Sequence, residues 1–492
     1  LRRGRRVTNL LVIMADEMRP DMLGCLGKIP VETPHLDALA DRGTLFTSAY
    51  TPSPICVPAR AAFATGRPVH QTGHWDSAAP YDGAPRSWMH GLRHAGYTVW
   101  SVGKLHYREN ADLGFSRMIA PMFVANDVGW PAALLRGTDT PNSGTGDLAR
   151  EVGFGDTDYN RYDRTIADEA AGALAELVGG PDPFALFVSF VSPHYPLIAP
   201  EQYRDRYEPG RLPPPVPALA PGGKLHPEVA RLRGFFDHGD HFSDAGVAEA
   251  RAAYFALCTF IDDQVGRLVA ALEESGAARD TLVLFVSDHG EMLGDHGLWT
   301  KQVMYEASVG IPMILSGPQV PKGQRVTTPV SLLDVCPTAL DVAGLPPLGC
   351  DAVHGRSLRA LAAGADDPDR TVFSEYHDGG GTTGQFMVRW ADWKYIHYAG
   401  MRPQLFNLSR DADEQDDLSG DSTYASTLAE GEARLRRFCD PDAVNSAAHA
   451  DQERRRAALG GVDAVRALGT FTYTPVGGST AALSKTRHEV RS

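Results

Sequence analysis

The chain is poor in cysteine, has no long apolar run and carries fewer bases than acids, and each shortage removes a class of protein. Six cysteines in 492 residues, at positions 25, 56, 258, 336, 350 and 439, are too few and too scattered for a disulfide framework, and no C-x-x-C pair marks a zinc knuckle. Reduced thiols in a cytoplasm are the expected state. The apolar runs at 281–286 and 311–315 fall far short of the roughly 18 residues a membrane helix needs. Arg2, Arg3, Arg5 and Arg6 look like the n-region of a secretion signal, but Asp16, Glu17 and Arg19 interrupt the apolar stretch behind them. A leader removed ahead of Leu1 stays open. Lys and Arg total 47 against 61 Asp and Glu, a net charge of −14, so neither nucleic acid nor a membrane surface is an expected partner. An anionic substrate would require a local cluster of cations.

What is present is enough for a packed core, with 43% hydrophobic and 22% charged residues. Residues 9–15 (NLLVIMA) form a short continuous apolar run ending at Asp16, the pattern of a buried parallel strand. Similar runs recur at 98–102, 184–191, 282–287 and 312–316. Between them, helices are expected at 33–43, 59–65, 88–95, 162–178, 247–274 and 332–343, the first opening on Thr33-Pro34 and closing on Gly43. Strands alternating with helices indicate an α/β sheet covered on both faces. Residues 209–223 are dense in Pro and read as an exposed loop. Composition shifts near 363–370, which divides the chain into a larger α/β domain over 1–370 and a smaller C-terminal α+β subdomain over 371–492. There, 371–376, 385–390 and 394–397 alternate like antiparallel strands, 428–437 looks helical, and 473–492 reads as an extended arm, either swapped onto a partner in a homodimer or higher oligomer or disordered.

In open α/β sheets, functional groups gather past the carboxyl ends of the strands. Asp16-Glu17 follows the first strand and Asp288-His289 follows the run at 282–287. A single strand-end Asp ordinarily caps a loop; two such pairs, rich in oxygen and with one imidazole, suit a divalent cation. Pro58 pre-sets a helix start, which puts Cys56 at a helix N-terminus where free N–H groups favour anions. Cys56 by itself reads either as an inert buried thiol or as a reactive thiolate. Lys104 and His106 are two apart and share one face of an extended chain. His74, Trp75, Asp76, Tyr81, Trp130 and Tyr195 are candidates for an entrance, where aromatics and an acid suit a quaternary ammonium, or for loop packing.

Cys56-Val57-Pro58-Ala59-Arg60, followed by Thr65-Gly66-Arg67, resembles the C-x-P-x-R signature of the sulfatase family. Further motifs fall in the family order: Thr33-Pro34-His35-Leu36-Asp37, Gly103-Lys104-Leu105-His106, Ser192-Pro193-His194, SDHGE at 287–291, GDHGLWTK at 294–301 and PQLFNL at 403–408. The resemblance spans roughly residues 9–420. It implies an alkaline-phosphatase-like three-layer α/β sandwich with a large mixed, mostly parallel sheet, and hydrolysis of sulfate esters. It also implies that Cys56 is oxidised to formylglycine by a modifying enzyme, and that Asp16, Glu17, Asp288, His289 and the modified Cys56 hold one divalent metal. In that scheme one hydroxyl of the aldehyde hydrate attacks sulfur and the second expels sulfate, a covalent mechanism with a built-in release step. Arg60 would steady the hydrate and Lys104 the sulfate, His106 would act as base for release, and His194 and Lys301 would bind sulfate and protonate the leaving oxygen.

Two departures stand out. Glu17 replaces the family's common Asp and His289 its common Asn, which makes manganese a competitor to calcium. The same positions vary in relatives that cleave choline sulfate or phosphonate monoesters. Phosphonate monoester or phosphodiester hydrolysis is the rival reaction; the Lys104-x-His106 pair favours sulfate. A sulfate-binding protein with an unmodified Cys56 is the non-enzymatic alternative. Aryl, alkyl, choline and carbohydrate sulfates all stay open as substrates.

Overall fold

The computed structural model describes residues 8–137, 144–217, 225–238, 241–346, 354–364, 366–469 and 473–476. Cys350, the four early arginines, part of the Pro-rich loop and most of the expected arm lie outside the described residues. Eight strands make the main sheet: β1 (Asn9–Asp16), β2 (Gly43–Phe46), β3 (Thr98–Lys104), β4 (Arg117–Met122), β5 (Phe184–Pro193), β6 (Thr281–Ser287), β7 (Met313–Ser316) and β8 (Gln324–Val326). Their spatial order is β8-β2-β7-β6-β1-β5-β3-β4. All neighbours pair in parallel except β7, which runs antiparallel to both β2 and β6. The apolar runs at 9–15, 98–102, 184–191 and 282–287 are parallel strands of this sheet, whereas the run at 312–316 is the antiparallel β7. The edge strands β4 and β8 were not anticipated, because β4 alternates weakly and is half exposed.

The sheet is the middle of three layers because alternate side chains of β1 bury in opposite directions. Leu11, Ile13 and Ala15 pack with α1 (Pro34–Asp41), α4 (Asp158–Val178) and α5 (Asp244–Glu274). Leu10, Val12 and Met14 pack with α2 (Cys56–Thr65), α3 (Trp88–His94) and α6 (Val335–Val342). This is the alkaline-phosphatase-like sandwich expected from the motifs. A second, four-stranded antiparallel sheet follows, β9 (Thr371–Tyr376), β10 (Gln385–Trp390), β11 (Trp393–Tyr398) and β12 (Gln404–Asn407), in sequential order. The helices α7 (Ala425–Leu435) and α8 (Pro441–Ala458) come after it. No helix among the described residues is long and apolar enough to cross a membrane.

One glycine decides how closely the layers approach behind the site. Gly103, with φ +94°, is the last but one residue of β3 and pairs with Ser189 of β5, and a Cβ there would lie 2.3 Å from the Ser189 carbonyl oxygen and 2.7 Å from the Ile166 side chain. Gly103→Ala is expected to destabilise the fold by at least about 1–3 kcal/mol, since it combines left-handed backbone with a clash against another strand. Denaturant unfolding measures it, and an unchanged midpoint would refute the close approach.

Candidate active site

The carboxyl ends of β1, β3, β5 and β6 bring the chemistry-bearing residues to one place, as sheet topology requires. Asp16 ends β1, Lys104 ends β3, Pro193-His194 follow from β5, and Asp288-His289 follow β6. The first turn of α2 faces them. Pro58 is tolerated there because the first-turn N–H groups have no intrahelical partner, and the helix begins at Cys56 itself rather than at Ala59.

Arg60, one turn further along α2, is fully buried and uses its whole guanidinium. Nε donates to Asp288 Oδ2 at 2.8 Å and one terminal nitrogen to Asp16 Oδ2 at 2.9 Å. The other terminal nitrogen donates to the Lys104 carbonyl and to Ser189 Oγ, each at 2.9 Å. Arg60 is thus committed to bracketing the two carboxylates. Lys104 Nζ lies 2.5 Å from Asp16 Oδ2. Burial pushes the Asp16 carboxyl up, but Lys104 and Arg60 outweigh it and hold it well below the usual carboxylate range.

One ligand atom each from Asp16, Cys56, Asp288 and His289 lies within 4.8 Å of the others, and all four residues are buried. His289 Nδ1 is 3.0 Å from the Gly290 carbonyl, which can only accept, so Nδ1 carries the proton. Nε2 then turns its lone pair toward Cys56, 3.1 Å from Sγ. Burial first, then Asp16, push the Cys56 thiol well above its ordinary value, so it is not poised as a thiolate. This set of two carboxylates, an imidazole and the position-56 side chain fits a divalent metal in its chemistry.

Glu17 is displaced from this group. Its backbone sits at φ +66°, with its N–H donated to Asp288 Oδ1 and its carbonyl accepting from Tyr254 Oη. The carboxylate turns to a second group, with Asp16 and His194. Glu17 Oε2 is 2.9 Å from Lys301 Nζ and 3.3 Å from His194 Nε2. His194 Nδ1 donates to the Tyr195 carbonyl, so Nε2 accepts from Lys301 Nζ at 3.0 Å. Burial and then Lys301 lower the His194 pKa well below 6.5, which keeps the ring neutral. Burial works against the Lys301 ammonium too, but Glu17 outweighs it and holds it charged.

His106, at φ +54°, is buried with both ring nitrogens lacking a hydrogen-bond partner among the described residues. Burial, followed by Lys104 and Arg60, lowers its pKa well below the ordinary value. Orphaned buried nitrogens beside the two cations Lys104 and Arg60 mark space for a polar ligand.

Of the entrance candidates, only Tyr195 borders the site, stacked on His194 with ring centroids 4.2 Å apart. The others pack loops. His74 spans the Ala79 and Ala84 carbonyls, Trp75 sits edge-on to His377, Asp76 pairs with Arg455, Tyr81 bonds the Pro85 carbonyl, and Trp130 stacks on Phe236. Without Asp76 the case for a quaternary-ammonium cage loses its acid. Two rings that no motif signalled complete the wall. Tyr159 of α4 lies 6.3 Å from His194, and Tyr473, from the described piece of the terminal arm, lies 5.2 Å from Tyr159 and 6.3 Å from Tyr195.

Comparison with known proteins finds relatives over most of the chain. The Sulfatase family model matches residues 8–345, and the model for the C-terminal part of N-sulphoglucosamine sulphohydrolase matches 294–440. The chain is 32% identical over 466 residues to arylsulfatase K of Danio rerio, covering 90% of this chain and 85% of that protein. It is equally 32% identical over 466 residues to choline-sulfatase of Rhizobium meliloti (strain 1021), covering 91% and 90%. In fold it is similar to the phosphonate monoester hydrolase of Agrobacterium radiobacter, with a TM-score of 0.70 and 24% identity over 88% of this chain and 95% of that one.

Arg60→Ala is expected to lower stability by about 3–5 kcal/mol, because it leaves two carboxylates buried without their shared cation. Arg60→Lys restores the charge but cannot bridge both acids, so its stability should fall between wild type and Ala. Thermal and denaturant melts check the order; equal midpoints for all three would refute the bracket.

Proposed function

The chain belongs to the sulfatase family and is a sulfuric ester hydrolase, and from that premise we propose that Cys56 is its formylglycine site and that Asp16, Asp288 and His289 hold the metal beside it, with Glu17 at its edge. The observation that carries this reading is the buried cluster of Asp16, Cys56, Asp288 and His289 bracketed by Arg60. With formylglycine at position 56, its hydrate would supply one hydroxyl as nucleophile toward sulfur and a second for the release of sulfate. A divalent ion, manganese or calcium, held by Asp16, Asp288 and His289 would acidify that group and offset charge on the sulfate. The imidazole favours the transition metal.

The remaining roles follow from proton positions and charges. Lys301 is charged and donates to neutral His194, so the proton between Nζ and Nε2 rests on the lysine. That proton serves the departing alcohol oxygen, and Glu17 Oε2 keeps the pair charged in the resting site. Lys104 and Lys301 attract the sulfate oxygens against the −14 charge of the whole chain. His106, neutral and without a hydrogen-bond partner among the described residues, accepts the proton released when sulfate is expelled. The rings of Tyr195 and Tyr473, set nearly edge to face, offer the alcohol portion an aromatic corner, and an aryl sulfate suits it.

The peptide carrying Cys56, from a host able to make the conversion, is expected to weigh about 18 Da less than the thiol form, the change from cysteine to the aldehyde. Cys56→Ala should lower kcat/KM on an aryl sulfate by about 10³-fold or more, the scale seen when a covalent nucleophile is removed. Matched aryl sulfate, phosphonate and phosphodiester substrates test the reaction class. A rate order with the sulfate last would overturn sulfate-ester hydrolysis as the main activity.

A further inference from the structure

The segment that presents His194 is a bulge. Met14 of β1 pairs with Ser189 of β5, and the next pair is Asp16 with Pro193, so four residue steps on β5 face two on β1. The extra residues must satisfy their backbone groups outside the ladder. Asp163, on α4 and fully buried, does this with both carboxylate oxygens. The Val191 N–H donates to Oδ1 at 2.7 Å and the Ser192 N–H to Oδ2 at 2.9 Å. The His194 N–H then closes a turn onto the Val191 carbonyl at 3.1 Å.

The same helix face makes a second contact. Tyr159, four residues before Asp163 and so on the same side of α4, lies against the His194 ring. One helix therefore holds the bulge by its backbone and the imidazole by its ring. On the other side, His194 Nε2 meets Lys301 and Glu17, which come from separate loops. The reach of Nε2 to Lys301 depends on where the bulge sits.

We propose that Asp163 is a positioning residue for the leaving-group proton: by clamping the Val191 and Ser192 N–H groups it sets the bulge that aims His194 Nε2 at Lys301. Asp163 touches neither metal ligand nor nucleophile. A carboxylate is required because two N–H donors converge on one side chain. An Asn there can accept from only one and turns an NH2 toward the other. The inference rests on the proposed role of His194, and the test separates the two.

The experiment compares wild type, Asp163→Asn, His194→Ala and the double variant on aryl sulfates of graded leaving-group pKa, with folding checked by circular dichroism. Protonation matters most for poor leaving groups, so Asp163→Asn should reduce kcat on phenyl sulfate by about 10²-fold, the cost of an ångström-scale misplacement. On para-nitrophenyl sulfate, which departs without help, the loss should stay within about 3-fold. In the His194→Ala background the Asn substitution should add nothing, because the positioned group is gone. Equal losses on both substrates, or additivity with His194→Ala, would overturn the role of Asp163. If His194→Ala itself leaves the leaving-group dependence unchanged, the reading of His194 fails instead. Should the Asn variant not fold, Asp163→Glu carries the same comparison, keeping two acceptor oxygens at a longer reach. A loss on Glu that is uniform across leaving groups overturns the proposal equally.

Discussion

The ion cluster of Arg60 with Asp16 and Asp288 is the constraint on which the site depends. Two carboxylates taken wholly out of water would repel each other and each demand a partner. Arg60 meets both demands with one planar group, whose forked donors match two acids and a carbonyl at once. Because Arg60 is rooted in α2, the bracket also locks the register of that helix against the ends of β1 and β6. Cys56, one turn earlier, is thereby delivered against Asp16 and His289. The acidic pair and the nucleophile position are thus one mechanical unit.

Strain collects around this unit. Glu17, His106, Leu293, His296, Thr300 and Gln302 all adopt positive φ without being glycine. Such conformations persist only where surrounding contacts over-determine them. For Glu17 those contacts are visible: Asp288 takes its N–H, Tyr254 its carbonyl and Lys301 its carboxylate. The rigid three-layer sandwich supplies the support, with Tyr254 reaching in from the long helix α5. A strained residue held on three sides points its side chain in one direction, which is what a charged site near a reacting group needs.

The small antiparallel sheet takes part in the same support. Lys394 of β11 is fully buried, donating to the Met304 carbonyl and pairing with Glu414 and Glu306. Gln385 of β10 donates to the Gln302 carbonyl, and the Gln302 N–H reaches back to the Pro54 carbonyl, two residues before Cys56. The segment carrying Lys301 is therefore strapped between the second sheet and the loop that leads into α2. The Gln302 N–H to Pro54 carbonyl bond ties the segment carrying the proton-bearing lysine directly to the loop that leads to position 56.

Read alone, the sequence was most informative where burial is uniform along a strand or periodic along a helix. The runs beginning at 9, 98, 184 and 282 are the sheet centre, and the pattern at 247–274 lies within the long helix α5, because a parallel sheet covered on both faces requires continuous apolar strands. Ordered motifs also marked the residues that meet at the strand ends. Other features depended on approach in three dimensions. No spacing separates Glu17 from the Asp288 group, since its left-handed backbone turns the carboxylate away from its neighbour. Nothing local shows that Asp76 is consumed by Arg455, hundreds of residues later, or that Tyr473 returns to Tyr195. Asp163 likewise reads as one more acid on an amphipathic helix until the bulge in β5 brings two N–H groups to it. Residue types and their order follow from sequence because burial and strand ends are local consequences of pattern. Which carboxylate faces which cation was decided only by packing, since buried charges take partners wherever the fold brings them together.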